Sequence, residues 1–156
     1  MKICTRDFGS IDVEKSDIIY FSDGIPGFSN IKRFVVLGES DENMPLQWLQ
    51  SVDKEELAFL IINPFLIKKD YEIDINENDT EMLRLNDMND VAVYVIVVVP
   101  NDIKNMTANL KAPIIINVKD KIGKQIILQN SNYDIKYRIY KDTKRERGGL
   151  ENACID

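Results

Sequence analysis

Six carboxylates fall between Asp70 and Glu81 with no lysine or arginine among them: Asp70, Glu72, Asp74, Glu77, Asp79 and Glu81. Paired carboxylates run glycosidases, and clusters of them hold Ca²⁺ or Mg²⁺. Asp70, Glu72 and Asp74 alternate with Tyr71, Ile73 and Ile75. In an extended strand this alternation puts three acids on one face, about 7 Å apart. The run has no DxDxDG order and no glycine for the sharp turn of a calcium loop. Three readings follow. The simplest is a solvated strand face. The second is a carboxylate-dependent hydrolase or metal-binding protein using Asp70, Glu72, Asp74 and Glu77. The third is an acidic docking surface for a basic partner, acting through on-rate and orientation.

The chain contains no histidine. That removes the commonest general base, the commonest transition-metal ligand and every Ser-His or Cys-His nucleophile pair. No catalytic set, cofactor site or metal site emerges from the remaining residues. Gly24 and Gly27 flank Pro26 in a turn cluster, but the spacing, the missing helix and the missing lysine exclude a phosphate loop. With 20 basic and 26 acidic residues the net charge is −6. An acidic chain is poorly suited to holding nucleic acid, which needs a basic face. Cys4 and Cys154 sit at opposite ends and read as two free thiols of a reducing compartment. Without an apolar leader or a stretch of twenty apolar residues, the sequence reads as cytoplasmic, with no membrane partner.

Apolar residues in otherwise polar links are the other candidates for contact: Phe65, Leu66, Met106 and Leu110. About half of such residues fold back on the core. The rest could form an adaptable patch, and an acidic rim around one suits a groove for a peptide or helix.

These candidates need elements to hold them. The 156 residues, 44% hydrophobic, suit one domain with a real core. The centre is Asp90–Asn117. Val91 to Val99 is an unbroken apolar run, expected to be a strand buried on both faces or a barrel wall. Pro100 ends it, a polar link carries Met106, Thr107 and Asn109, and Ile114-Ile115-Ile116 starts a second core strand. Other expected strands lie in 2–21 around a turn at Gly9-Ser10, then at 33–37, 46–52, 58–62, 69–75, 125–128 and 133–140. Cys4 and Trp48 are read as core residues. Asn63-Pro64 breaks the strand at 62. Capping boxes at Asp53/Glu56 and Asn78/Glu81 predict two helical turns, the second over 78–85. Gly123 is the expected positive-φ residue of a hairpin turn at 119–124. Glu39 to Asn43 reads as an acidic loop. The fold class is all-β: a small single-domain barrel of short antiparallel strands over 1–140, followed by a flexible charged tail, 141–156.

Five pieces in order carry a resemblance to a known family. They are Phe8-Gly9, Gly24-Ile25-Pro26-Gly27-Phe28, Trp48-Leu49-Gln50-Ser51 before an acidic turn, Ala58 through Asn63-Pro64-Phe65, and Met106-Thr107-Ala108-Asn109-Leu110 with Ala112-Pro113-Ile114-Ile115-Ile116-Asn117. The chain from Met1 to about Tyr137 resembles the flagellar assembly factor FliW family. The resemblance implies a non-enzymatic regulator that binds two proteins in alternation. These are flagellin and the RNA-binding repressor CsrA, whose capture relieves repression of flagellin translation. The contacts are then expected on the bend Asn63, Pro64, Phe65 and Leu66, on the face of Asp70, Glu72 and Asp74, and on the link residues Met106, Thr107, Asn109 and Leu110.

Overall fold

The computed structural model describes residues 1–38, 45–129 and 131–140. The expected acidic loop at 39–43, Cys154 and the 141–156 tail lie outside the described residues. In chain order the strands are β1 (Lys2–Thr5), β2 (Gly9–Asp12), β3 (Ile19–Tyr20), β4 (Arg33–Leu37), β5 (Gln47–Ser51), β6 (Ala58–Ile62), β7 (Val91–Val98), β8 (Thr107–Ala108), β9 (Ile114–Asn117), β10 (Ile122–Gln125) and β11 (Tyr137–Arg138). One short helix, α1 (Glu77–Met82), and several single 3₁₀ turns complete the description.

Seven of these strands close into a barrel, β3-β4-β5-β6-β7-β9-β10 and back to β3. All pairs in the ring are antiparallel except β3 with β10, which run parallel at Tyr20 and Ile122. The expectation of an antiparallel barrel holds apart from that seam. β7 is the long wall strand. Along one edge it pairs β6, and along the other it pairs β9 through Val91–Tyr94, then β8 through Val97–Val98. β11 adds to β8 outside the ring.

The apolar run of β7 is explained by packing on both faces. Ala92, Tyr94 and Ile96 face the barrel interior with Phe21, Phe34, Leu49, Ile61, Ile114 and Ile116. Val91, Val93, Val95 and Val97 face outward into a second cluster with Tyr71, Leu83, Met106, Leu110, Ile115 and Leu128. A strand with apolar residues at consecutive positions needs a cover on each side, and 67–85 with 126–140 supply the outer one. Val98 and Val99 pass beyond this cover and are exposed. The β1–β2 hairpin covers the outer face of β4, where Ile3, Val13 and Val35 pack.

Several local expectations change. Residues 69–75 keep their predicted in-and-out alternation but form no strand, because no neighbouring strand pairs with them. The helix expected over 78–85 spans Glu77–Met82, and its cap lies two residues earlier: Asn76, not Asn78, caps it, its side chain accepting from the Asp79 N–H at 2.8 Å. After Asp53 a single hydrogen-bonded turn forms, the Leu57 N–H donating to Lys54 O at 3.0 Å, but Asp53 does not cap it. Its carboxylate pairs with Arg33, and Ser51 Oγ takes the N–H groups of Asp53 and Lys54. Trp48 is half-buried with the Arg6 guanidinium 4.8 Å from its ring centroid, and Cys4 is exposed on β1 opposite Ser10. The strand expected at 125–128 lies at 122–125, and the one expected at 133–140 shortens to two residues. Gly24 and Gly27 have positive φ in their turn cluster, but in the turn before β10 it is Lys121, at φ 57°, and not Gly123, that does so.

Gly123 has a different reason. A Cβ there would lie 2.6 Å from the Phe21 ring, which is fully buried. Gly123→Ala is therefore expected to lower unfolding stability by about 1–3 kcal/mol, read as a fall in the urea midpoint at constant slope. Asn117, buried at the end of β9, donates to Leu83 O at 2.8 Å and Arg84 O at 3.1 Å, and accepts from the N–H groups of Lys119 and Asp120 at 3.0 Å. Asn117→Ala strands these groups and is expected to cost about 1–3 kcal/mol, measured in the same way.

Candidate functional site

The bend after β6 is fixed by its own sequence. Asn63 ends the strand in an extended conformation, and its side-chain oxygen accepts from the Phe65 N–H at 2.9 Å. Pro64 begins the 3₁₀ turn, where its missing donor goes unneeded, and its ring is buried. The turn pushes Phe65 and Leu66 outward, 41% and 58% exposed. Their exposure is a result of the local cap, which holds the turn in place.

The chain then lies across the outer face of β7 as an irregular extended segment. Tyr71 is its anchor. It is buried, its hydroxyl donates to Leu110 O at 2.6 Å, and its ring lies 4.7 Å from that of Tyr133 at a tilt of 47° and meets Phe65 edge-on at 5.7 Å. Burial pushes the Tyr71 phenol well above its ordinary pKa, with a smaller contribution from Tyr133. Tyr71 thus draws together the bend, the acidic segment and the link after β7. The sequence placed Tyr71 only as an inward residue of an alternating strand and gave no sign of its role as the joint.

With Tyr71, Ile73 and Ile75 turned inward, Asp70, Glu72 and Asp74 are exposed. Their environments differ. Asp70 forms an ion pair with Lys68 at 3.1 Å, and its hydrogen bond raises the lysine pKa. Glu72 and Asp74 make no ion pair among the described residues, though the Glu72 N–H donates to Tyr133 Oη at 2.8 Å. Asp79 turns away from this face. It is buried and takes the Lys124 ammonium at 2.6 Å, while Asp23 lies 3.8 Å from the same amine. The six acids therefore do not act as one cluster. Among the described residues no three aspartate, glutamate or cysteine side chains converge on a point where a cation could be held.

The link after β7 corrects one expectation. Met106 and Leu110 are buried in the outer cluster, 3% and 0% exposed, and do not form an adaptable apolar patch. Backbone pairing brings them in: Thr107 and Ala108 pair with β7 and β11, and the Asn109 N–H donates to Ile96 O. Thr107 and Asn109 remain partly accessible, and the Asn109 side chain accepts from the Lys111 N–H at 3.1 Å. Of the four apolar candidates two are core and two, Phe65 and Leu66, are surface.

A groove beside the acidic segment is lined by Glu72, Asp74 and Tyr133 together with Ile127 and Gln129. Ile127 is 61% exposed. Sequence reading treated Ile127 as part of a return strand and missed the groove, which arises from two segments distant in the chain. No helix among the described residues is long and apolar enough to cross a membrane.

Comparison with known proteins agrees with this architecture. A family model described as FliW protein matches residues 2–139. A protein of Thermoanaerobacter pseudethanolicus named flagellar assembly factor FliW is 45% identical over 144 residues, covering 92% of this chain and 96% of that protein. A relative of the same name from Alkaliphilus metalliredigens is 43% identical over 145 residues, covering 93% and 90%. A crystal structure of the flagellar assembly factor FliW superposes with a TM-score of 0.85 at 43% identity, covering 91% of this chain and 99% of that one. The match spans the closed barrel and both segments that cover β7, so the chain belongs to the FliW family.

Proposed function

We propose that this protein is a non-enzymatic flagellar assembly factor of the bacterial cytoplasm that binds flagellin and, when flagellin is exported, captures CsrA and so relieves repression of flagellin translation. Membership of a family whose relatives are named flagellar assembly factors supports the general role. The partner switch is the finer reading. The observation that carries it is the exposed acidic face of Asp70, Glu72 and Asp74 beside the exposed Phe65 and Leu66. A basic RNA-binding protein meets such a face favourably, and the same charge repels RNA phosphates within about 8 Å at physiological salt. Apolar anchors at the rim add contact area that charge alone does not. Thr107 and Asn109 belong to the same reading as accessible polar residues. Met106 and Leu110 act in it by shaping the surface from beneath.

The hydrolase or metal-binding alternative needs carboxylates that converge. Asp70 is committed to Lys68, and Glu72 and Asp74 point to solvent, so the geometry favours docking.

Two outcomes test the proposal. In a competition measurement, the chain is loaded with CsrA and titrated with a C-terminal flagellin segment, followed by size exclusion. Release of CsrA is expected, and a complex that survives saturating flagellin contradicts the switch. Separately, Asp70→Lys with Glu72→Lys is expected to weaken CsrA binding by about tenfold or more, mainly through the association rate. An unchanged melting temperature shows that the variant stays folded, and wild-type affinity in it removes the acidic face from the interface.

A further inference from the structure

The groove beside the acidic segment has a feature that charge does not explain: one of its walls presents free backbone. Ile126 and Leu128 are buried and Ile127 is exposed, the alternation of an extended chain. The N–H of Ile126 donates to Pro113 O at 2.9 Å, and that of Leu128 to Lys111 O at 2.8 Å. In an extended chain, alternate residues present their N–H and C=O to opposite edges. With 126 and 128 bonded to 111–113, the backbone groups of Ile127 and Gln129 face the other edge, toward the groove. Neither makes a backbone hydrogen bond among the described residues. The opposite wall is alike. Glu72 gives its N–H to Tyr133 Oη, so Asp74, two residues on, presents its backbone to the same side, and it too has no backbone partner among the described residues.

Exposed, unpaired strand edges are templates for a further strand. The side chains around this one define what would pair. Glu72, Asp74 and Ile127 project outward, while Ile73 and Leu128 lie on the core side. No lysine or arginine lines the groove among the described residues, and the nearby Lys111 ammonium is already on Ser131 O at 3.2 Å. Its volume, about 890 Å³, is at the upper end of the range for ligand pockets. We infer that this groove is a strand-addition site, in which an extended peptide pairs with the Ile127–Gln129 edge, its basic side chains over Glu72 and Asp74 and its alternate apolar side chains against Ile73 and Leu128. The inference rests on the reading of the acidic face as a partner surface, and it assigns that surface a backbone-pairing mode in place of a helix laid on it.

The test uses the full chain and a seven-residue capped peptide alternating lysine and valine. Expected are saturable binding by calorimetry, at least tenfold slower hydrogen exchange of the Ile127 and Gln129 amides in the complex, and at least tenfold weaker binding when alternate peptide nitrogens are methylated in the pairing register. Glu72→Lys with Asp74→Lys is expected to abolish peptide binding without changing the melting temperature. Binding that leaves both amides unprotected, or that tolerates N-methylation in both registers, overturns strand addition. So does the absence of peptide binding. The partner-surface reading is judged apart from this, by whether the same double substitution weakens binding of intact CsrA. If it does while the peptide fails, strand addition falls and the surface stands. If neither responds, both fall.

Discussion

The rest of the structure depends on one constraint: β7 is apolar on both faces, so both faces must be covered. Closing the barrel covers one of them. The side chains of Ala92, Tyr94 and Ile96 point into an interior that the ring of strands supplies. The other face would leave four valines in water, each worth about 1.5–3 kcal/mol when fully buried. Among the described residues no second sheet arrives to bury them. Two irregular stretches, 67–85 and 126–140, lie across them instead. Because the first of these, 67–85, is held there by side chains and not by a strand ladder, its outward residues are free to be acidic or apolar. The candidate site is therefore the outer surface of a cover whose inner surface is core.

Irregular covers and turns leave backbone groups to satisfy, and a few buried polar side chains do this. Asn117 bonds the turn after β9 and the end of the α1 segment together. Gln50, buried in β5, donates to the carbonyls of Ser51, Glu55 and Leu57 and accepts from the Arg6 N–H. Asn117 links segments that have no strand pairing to each other, and Gln50 ties Arg6, beyond the end of β1, to the turn between β5 and β6. Buried polar groups with a full set of partners fix one arrangement among several that the apolar core alone would tolerate. Tyr71 does the same at the site itself, with one hydroxyl bond and two ring contacts joining three segments.

What the sequence made legible follows from what periodicity reports. The long strands β4 and β6 lie at their expected bounds, and the Asn63-Pro64 break is present, because each is written in contiguous residues. Periodicity also placed Tyr71, Ile73 and Ile75 inward. It could not show that this segment lacks a pairing neighbour, since alternation records which face is buried and not which edge is bonded. Capping boxes failed where a stronger partner was available elsewhere: Asp53 goes to Arg33 and Gln50 organises that turn. Gly123 was assigned a turn role because a glycine's reason is ambiguous in sequence. Its actual reason, the Phe21 ring, lies some hundred residues away in the chain. Separation in the chain also hid the groove, since Glu72 and Ile127 come to line it together only after folding.

The acidic run looks like one feature in sequence and becomes two in space. Asp79 is neutralised at short range by Lys124 and serves the fold. Glu72 and Asp74, a few residues earlier, stay solvated on a backbone pinned by Tyr71 and Tyr133. A flexible acidic tail would lose conformational entropy when a partner ordered it, whereas a pinned segment has lost most of it already during folding. Charge that is both exposed and preorganised speeds encounter and fixes orientation without the desolvation penalty that a buried ion pair incurs. Such a surface favours fast capture and ready release. Those are the kinetic properties that the proposed alternation between two protein partners requires, and they are not the properties of a carboxylate site built to grip a metal.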